Sequence, residues 1–453
     1  MSAVARILQE SGWQVTGSDE GFYPPIADVI RRYEIPCNVG YRAENLPEGV
    51  DRVVIGMNAK LVPETNPEVA AAYETRRRIS FPGILSELTE GRETFVVAGS
   101  FGKSSCSAIA AWALEHSGKR PGWFVGAESL NLPDNGRRGD GKLWVLEGDE
   151  YPACHWDKRS KFLFYNARHV LLTSGAHDHV NVFPTLENYL APFVELVSTL
   201  PEGGTLVACR NGEHLARVAE KSPVRVVWYS GGDSRADWWA TAPIRESGVT
   251  TFTLMHKNSE VCNLQTTLLG DHNIENLVGV GALLLENDAL TPSDFSQAVR
   301  EFRGVRRRLE RLTPEASLPV FNDFGSSFPK CRAGLDAILA GFPERKVTVV
   351  FEPHTFSFRN RNTLHWYDSL FLGAERVLVL PPPEQGQLTH EQVSQSEIAA
   401  RVRASGVDAS EIRTREELLQ AVKDGSELVL IESSGGVLGA IPEIAAWATG
   451  VSA

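Results

Sequence analysis

The stretch TFVVAGSFGKSSCSAIAAWALEHSG, residues 94–118, decides the fold. An apolar run, a glycine-rich turn and a helix-forming run follow one another without a break. The run TFVVA predicts a buried strand that ends at the carboxyl edge of a sheet. Gly99 and Gly102 let backbone N–H groups approach an anion closely. A helix beginning near Lys103 points the positive end of its dipole at that anion. The Lys103 ammonium can neutralise phosphate charge, and the Ser104 hydroxyl can ligate Mg2+. The general phosphate-loop pattern places four residues between its first glycine and Gly-Lys-Ser/Thr. Here Ser100 and Phe101 alone separate Gly99 from Gly102-Lys103-Ser104, so a glycine-rich strand-to-helix turn with a surface lysine is the competing reading.

Working outward, the pattern of short apolar strands alternating with helices predicts an α/β chain with parallel sheets. Upstream, WQVTGSD (13–19) and DRVVIGMNA (51–59) read as strands, with helices over 3–12 and 66–77. The chain opens on a helix, where a doubly wound domain opens on a strand and a Gly-rich turn. Met1 is therefore expected to be an internal methionine of a longer reading frame, or the first strand to be missing. Downstream, LWVLEGDE (143–150) and HVLLTS (169–174) are apolar strands ending in polar residues. Residues 205–267 are β-rich and read as an excursion within the same domain. FRGVRRRLERL (302–312) is a basic, hinge-like stretch. A further strand series follows in LPVFNDFG (318–325), KVTVVFEPH (346–354), RVLVLPPP (376–383) and ELVLIESSGG (427–436). Three α/β domains are expected, over 1–92, 93–303 and 304–453.

Composition narrows the classes. The 453 residues exceed the roughly 250–300 that one core sustains, and a 42% apolar content is enough for packed cores. The formal charge of −12 argues against a duplex nucleic-acid partner, which requires a basic face. The six cysteines show no CxxC spacing and read as reduced thiols. No apolar run approaches the roughly 18 residues of a membrane span, and the first twenty residues lack the segments of a secretory signal. A cytoplasmic location without membrane insertion is expected.

The shortened loop Gly-Ser-Phe-Gly-Lys-Ser-Ser resembles that of the Mur ligase family, ATP-dependent amide-forming enzymes of peptidoglycan synthesis and recycling. Five further stretches resemble the family in the same order along the chain. VLEGDEY (145–151) is similar to its acidic strand end, SGAHDHVNVF (174–183) to its Asp-His segment, and GDHNIENLVG (270–279) to its adenine segment. GVRRRLE (304–310) is similar to its domain-linking segment, and FNDFG (321–325) to the start of its third domain.

The resemblance implies three domains: a Rossmann-like N-terminal domain without its first strand, a central P-loop domain with a mixed sheet, and a Rossmann-like C-terminal domain. Its cofactors are ATP and Mg2+. Residues Gly99 to Ser105 (Ser100, Phe101, Gly102, Lys103 and Ser104 between them), with Asn273, Asn276, Arg308 and Asp323, would bind ATP. Ser104, Glu150 and His179 would hold the metal, and Lys103, Glu150, His179 and Arg308 would carry the chemistry. Ser18 and Asp19 would lie near the uridine, and His354, Ser357 and Arg359 near the incoming amine. Residues 180–200 contain no lysine, so the carbamylated lysine of some relatives is not expected.

VTGSDEGFYPPIADVI (15–30) and GDEYPACHWDKRSKFLFYNAR (148–168) resemble the branch that rejoins the salvaged tripeptide L-Ala-γ-D-Glu-meso-diaminopimelate to UDP-N-acetylmuramate. The branch adding L-alanine to the same sugar comes next, and a specialised ligase with another amine is a third reading. The sequence departs from the pattern at Thr173-Ser174, Ala176, Ser326-Ser327 and His354, which stand where relatives carry Asn-Asn, Glu, His-His and an arginine. A nucleotide-binding protein without ligase activity and a P-loop kinase or NTPase are the competing classes.

Overall fold

The apolar run at the centre of the chain forms a strand over Glu93–Ala98, with Phe95, Val96, Val97 and Ala98 wholly buried. The helix Lys103–His116 follows the turn. The computed structural model describes residues 1–23, 26–179, 182–246, 248–383 and 391–450. Pro24 and Pro25 of the Tyr-Pro-Pro segment, and Val180 and Asn181 after the Asp-His segment, lie outside the described residues. The chain divides into two compact units. One comprises Met1–Ala242, Phe252–Leu264 and Ile274–Phe302, and the other Pro243–Thr251, Gln265–Asn273 and Arg303–Ala453.

In the first unit a run of parallel strands carries the site. Their order is Gly122–Phe124, Leu143–Glu147, Glu93–Ala98, His169–Leu172, Thr205–Cys209, Val226–Ser230 and Trp238–Ala240. Gly136–Arg137 pairs antiparallel with the first of these, and Val249–His256 with the last. The sheet is mixed, as expected. The β-rich stretch read as an excursion is in part a continuation of this sheet: Thr205–Cys209 and Val226–Ser230 are interior parallel strands. The helix connecting them, Leu215–Ala219, is five residues long, too short to leave a helical period in the sequence.

The opening helix, Ser2–Glu10, buries Val4, Ile7 and Leu8 on one face. It rests on the antiparallel edge of the large sheet, where Glu10 accepts the Arg138 N–H at 2.7 Å. Gly136 is required there because the Ala3 carbonyl oxygen stands 2.9 Å from the place of a β-carbon. Two short parallel pairs follow, Gly17–Asp19 with Cys37–Val39 and Val53–Ile55 with Arg78–Ser80. Between them Asn66 caps the helix Pro67–Thr75 by accepting the Val69 N–H, and a proline in the first turn sacrifices no helical hydrogen bond.

The second unit holds a sheet in the order Glu310–Arg311, Val320–Asp323, Leu428–Glu432, Val347–Phe351, Arg376–Val379 and Asp408–Glu411. All neighbours run parallel except the first pair. Side chains alternate in direction, so Val347, Val349, Phe351, Leu428 and Leu430 fill one core layer while Val350, Val429 and Ile431 fill the other. A parallel sheet buried on both faces needs such continuous apolar strands. Asp408–Glu411 has the sequence DASE, which carries no apolar run to announce it. Register sets Asp323, Glu432 and Phe351 side by side at the carboxyl edge.

Candidate active site

Each glycine of the loop answers a specific constraint. Gly99 has φ +131°, and a β-carbon on it would stand 2.3 Å from Thr173 Oγ1 and 2.8 Å from the Ser174 nitrogen. Gly102 has φ +79° as the residue preceding the helix, and its β-carbon would meet Asn276 Oδ1 at 2.7 Å. Thr173 donates to the Phe101 carbonyl, and the Ser100 N–H donates to the Ser174 carbonyl at 2.9 Å. Ser100 Oγ donates to the Ala176 carbonyl at 2.6 Å and accepts from Tyr189 at 2.8 Å. Ser100 therefore braces the loop from within, while Phe101 is exposed and Ser105 half-buried.

Lys103, Glu150 and His179 converge. Lys103 Nζ donates to the Gly99 carbonyl at 2.6 Å and lies 2.9 Å from Glu150 Oε2. Glu150 is 1% exposed. His179 Nε2 lies 3.4 Å from Glu150 Oε1, and its Nδ1 is 3.0 Å from the Tyr151 hydroxyl. His179 has φ +54°, a left-handed conformation that the hydrogen bond from its own N–H to Asp178 Oδ1 supports. Burial raises the Tyr151 phenol above its ordinary value, with the charges of Asp149 and Glu150 adding to it.

Glu150 owes its position to a closed loop. Lys161 Nζ meets Asp149 Oδ2 at 2.6 Å, Ser160 Oγ donates to the Glu150 carbonyl at 2.5 Å, and the Lys161 N–H donates to the Tyr151 carbonyl. Burial works against ionising Asp149, yet Lys161 and the Tyr151 N–H overcome it and hold the carboxyl below its ordinary value. At the tip, His155 Nε2 contacts the Asn58 carbonyl at 2.6 Å, and Trp156 meets Tyr73 edge-on with ring centroids 5.7 Å apart.

Ser104 faces a different carboxylate. Its Oγ donates to Glu147 Oε1 at 2.8 Å, while Glu147 Oε2 takes the Ser107 hydroxyl and the Gly126 N–H. Glu147 was not singled out in the sequence, although it ends the acidic strand. Among the described residues no group of three or more His, Cys, Asp or Glu side chains is arranged to hold a metal by itself. A cation here would need Ser104 or ligand oxygens as well. The chemistry of the donors suits Mg2+, which takes oxygen ligands and retains ligand phosphates and water. The glycine cradle and the first amides of Lys103–His116 suit a phosphate chain.

Behind the loop Asn276 Oδ1 accepts from the Cys106 thiol at 3.2 Å, so this asparagine supports the loop from the rear. Burial raises the Cys106 thiol well above its ordinary value. Ser18 accepts from Asn45 at 3.2 Å, and Asp19 is exposed with Oδ1 capping the Glu20 N–H.

In the second unit Asn273 Nδ2 donates to the Leu269 carbonyl at 2.8 Å. Arg308 sits between two residues with left-handed backbone, Arg307 and Leu309, and its guanidinium lies 5.5 Å from the Phe324 ring centre. The Leu309 N–H donates to Asp323 Oδ1 at 2.9 Å, and burial raises the Asp323 carboxyl above its ordinary value. His354 Nδ1 lies 3.2 Å from Ser434 Oγ, and Ser357 is half-buried. Arg359 is more deeply placed than His354 and Ser357. It is buried, and its guanidinium reaches Gln392 Oε1 and the Thr355 carbonyl.

Residues 1–93 match the model of the Mur ligase family catalytic domain, and residues 97–284 that of the Mur ligase middle domain. The chain is 27% identical over 446 residues to a UDP-N-acetylmuramate–L-alanine ligase of Desulfitobacterium hafniense, covering 96% of this chain and 95% of the relative. It is 29% identical over 330 residues to a UDP-N-acetylmuramate–L-alanyl-gamma-D-glutamyl-meso-2,6-diaminoheptandioate ligase of Escherichia coli, covering 72% and 70%. Among solved structures, a UDP-N-acetylmuramate-alanine ligase of Thermotoga maritima superimposes with a TM-score of 0.77 at 22% identity, over 98% of this chain and 95% of that one. With both domain models matched in order and the loop, acidic strand end and sheets in place, the chain belongs to the Mur ligase family, the ATP-dependent amide ligases.

Proposed function

We propose that this ligase joins the carboxylate of UDP-N-acetylmuramate to the amine of L-Ala-γ-D-Glu-meso-diaminopimelate, through an acyl phosphate formed at the expense of ATP. The observation that carries the reading is the closed loop over Asp149–Lys161. Its two ends, Asp-Glu-Tyr and Lys-Arg-Ser-Lys, are the stretches that resemble the tripeptide branch, and their contacts set Glu150 beside Lys103 and His179. The L-alanine reading has equal standing among the relatives, since ligases of that name match over nearly the whole chain. We assign residues 1–92 to the sugar nucleotide, 93–303 to ATP and 304–453 to the amine, in the cytoplasm.

A carboxylate oxygen leaves poorly, and phosphorylating it lets an amine displace phosphate. Phosphoryl transfer asks mainly for positioning and charge neutralisation. Lys103 exchanges the Gly99 carbonyl for phosphate oxygens, while the amides at the start of its helix orient the chain of phosphates. Ser104, Glu150 and His179 would hold magnesium, which supplies further neutralisation when bound, and Glu147 fixes the Ser104 hydroxyl. Arg308 and Asp323 would contact phosphate and ribose. His354, Ser357 and Arg359 would contact the amine, Arg359 from a buried position.

Phosphate release is the test. With ATP and UDP-N-acetylmuramate present, release on adding the tripeptide and not on adding L-alanine supports the proposal. The reverse preference transfers the assignment to L-alanine. ATP hydrolysis indifferent to sugar and amine refutes ligase activity.

A further inference from the structure

The second unit contains a carboxyl group that the scheme above does not use. Glu432 ends the strand Leu428–Glu432 and is 1% exposed. Neither of its oxygens has a hydrogen-bond partner among the described residues. Two glycines make the chamber it occupies. Oε2 stands 2.5 Å from the place of a β-carbon on Gly325, and Oε1 stands 2.7 Å from that of Gly334. Asp323 Oδ2 lies 3.1 Å from the same point over Gly334. Glu432 Oε1 and Asp323 Oδ2 therefore flank one spot, and register pairs their two residues on adjacent parallel strands.

We infer that Glu432 is a positioning residue for nucleotide capture, holding the Asp323 carboxylate in the orientation its ligand requires. This rests on the proposed role of Asp323 at the ribose. Asp323 Oδ1 is fixed by the Leu309 N–H, which leaves Oδ2 as the oxygen to be oriented. Two buried carboxyls that face one spot do not readily both ionise. Burial, and then the Asp323 charge, raise Glu432 well above its ordinary value, so Glu432 keeps the proton and presents it to Oδ2.

The neighbouring groups agree with that division. Arg308 and Lys330 act on Asp323 and favour its ionised form. On the helix Phe328–Gly341, the Cys331 thiol lies beside Oε2 and is itself raised by burial. On the other neighbouring strand Glu352 is engaged elsewhere, by the Ser433 hydroxyl and the Val437 N–H.

The experiment is calorimetric titration of the full chain with ADP, and with tripolyphosphate as a probe lacking ribose, from pH 6.5 to 9.5. Wild-type affinity for ADP should fall towards the upper end of this range as Glu432 gives up its proton, while that for tripolyphosphate should not follow it. Glu432→Gln keeps a donor at any pH and should bind ADP within about twofold of wild type at neutral pH, without the alkaline fall. Glu432→Leu should lose about tenfold in ADP affinity, the scale of one hydrogen bond to a charged group, and none for tripolyphosphate. A wild-type circular-dichroism spectrum with cooperative thermal unfolding shows that a variant has folded. An alkaline fall in Glu432→Gln equal to that of wild type, or unchanged ADP binding in Glu432→Leu, overturns the inference. Asp323→Ala separates the layers. Wild-type ADP affinity there refutes the ribose role and the inference with it, whereas weakened binding in Asp323→Ala beside unchanged Glu432→Leu refutes the inference alone.

Discussion

Replacing Lys103 by methionine tests the ion pair at the centre of the site. The substitution removes the cation 2.9 Å from Glu150 and leaves a carboxylate that is 1% exposed. Breaking a buried pair from one side costs about 3–5 kcal/mol. The low end applies, about 3 kcal/mol, because the Lys103 side chain is 15% exposed and His179 stands 3.4 Å from the same carboxylate. Turnover should vanish with the ammonium. Glu150→Gln alone strands the lysine and should cost about 1–2 kcal/mol, less because Lys103 keeps its bond to the Gly99 carbonyl and some access to water. Lys103→Met with Glu150→Gln removes both charges, so the double variant should recover about 2 kcal/mol relative to the sum of the singles. Hydrogen exchange read on peptides covering residues 93–116 reports the opening free energy of this strand, loop and helix. Additive effects within about 0.5 kcal/mol would refute the claim that the two groups depend on one another.

Two further outcomes are expected. Gly99→Ala forces a β-carbon into Thr173 Oγ1 and the Ser174 backbone at a φ of +131°; overpacking and backbone strain together cost about 2–4 kcal/mol. ADP affinity should fall by more than tenfold, and wild-type affinity measured by calorimetry would contradict the close approach. Glu432 also makes stability depend on pH. The unfolded chain releases this proton near the ordinary value of 4.5 while the folded chain retains it, so the contribution is complete below that value and is lost as pH rises towards the folded one, by about 1.4 kcal/mol per pH unit. Glu432→Gln should melt higher relative to wild type at pH 9 than at pH 6, and parallel melting curves across that range would show that Glu432 is ionised throughout.

The loop was legible because its chemistry is local: strand, glycines, lysine and helix are contiguous, and each acts through its own backbone or a neighbour. The strands at 347–351, 376–379 and 428–432 were legible because burial on both faces makes them largely apolar, and the one at 320–323 because Val320 and Phe321 lead into a polar strand end. Other features depend on distant partners. Glu147, Asp149 and Glu150 share one strand end, and no spacing rule says which meets Ser104; Gly126 and Ser107 decide it. Arg359 reads as a contact for the incoming amine, and nothing local says that Gln392, more than thirty residues on, takes its guanidinium. Glu432 closes an apolar run and reads as an ordinary polar strand end, and its significance depends on Gly325 and Gly334 from two other segments.

The loop that begins at Asp149 and returns at Lys161 also works as a lever arm. Its base fixes Glu150, and its tip rests on Asn58 and Tyr73 through His155 and Trp156. Any shift of the region around residues 58–73 must be absorbed within about ten residues or delivered to the phosphate side. Shortening the arm would tighten that mechanical link, and a flexible insertion at residue 157 would slacken it while leaving both ends anchored.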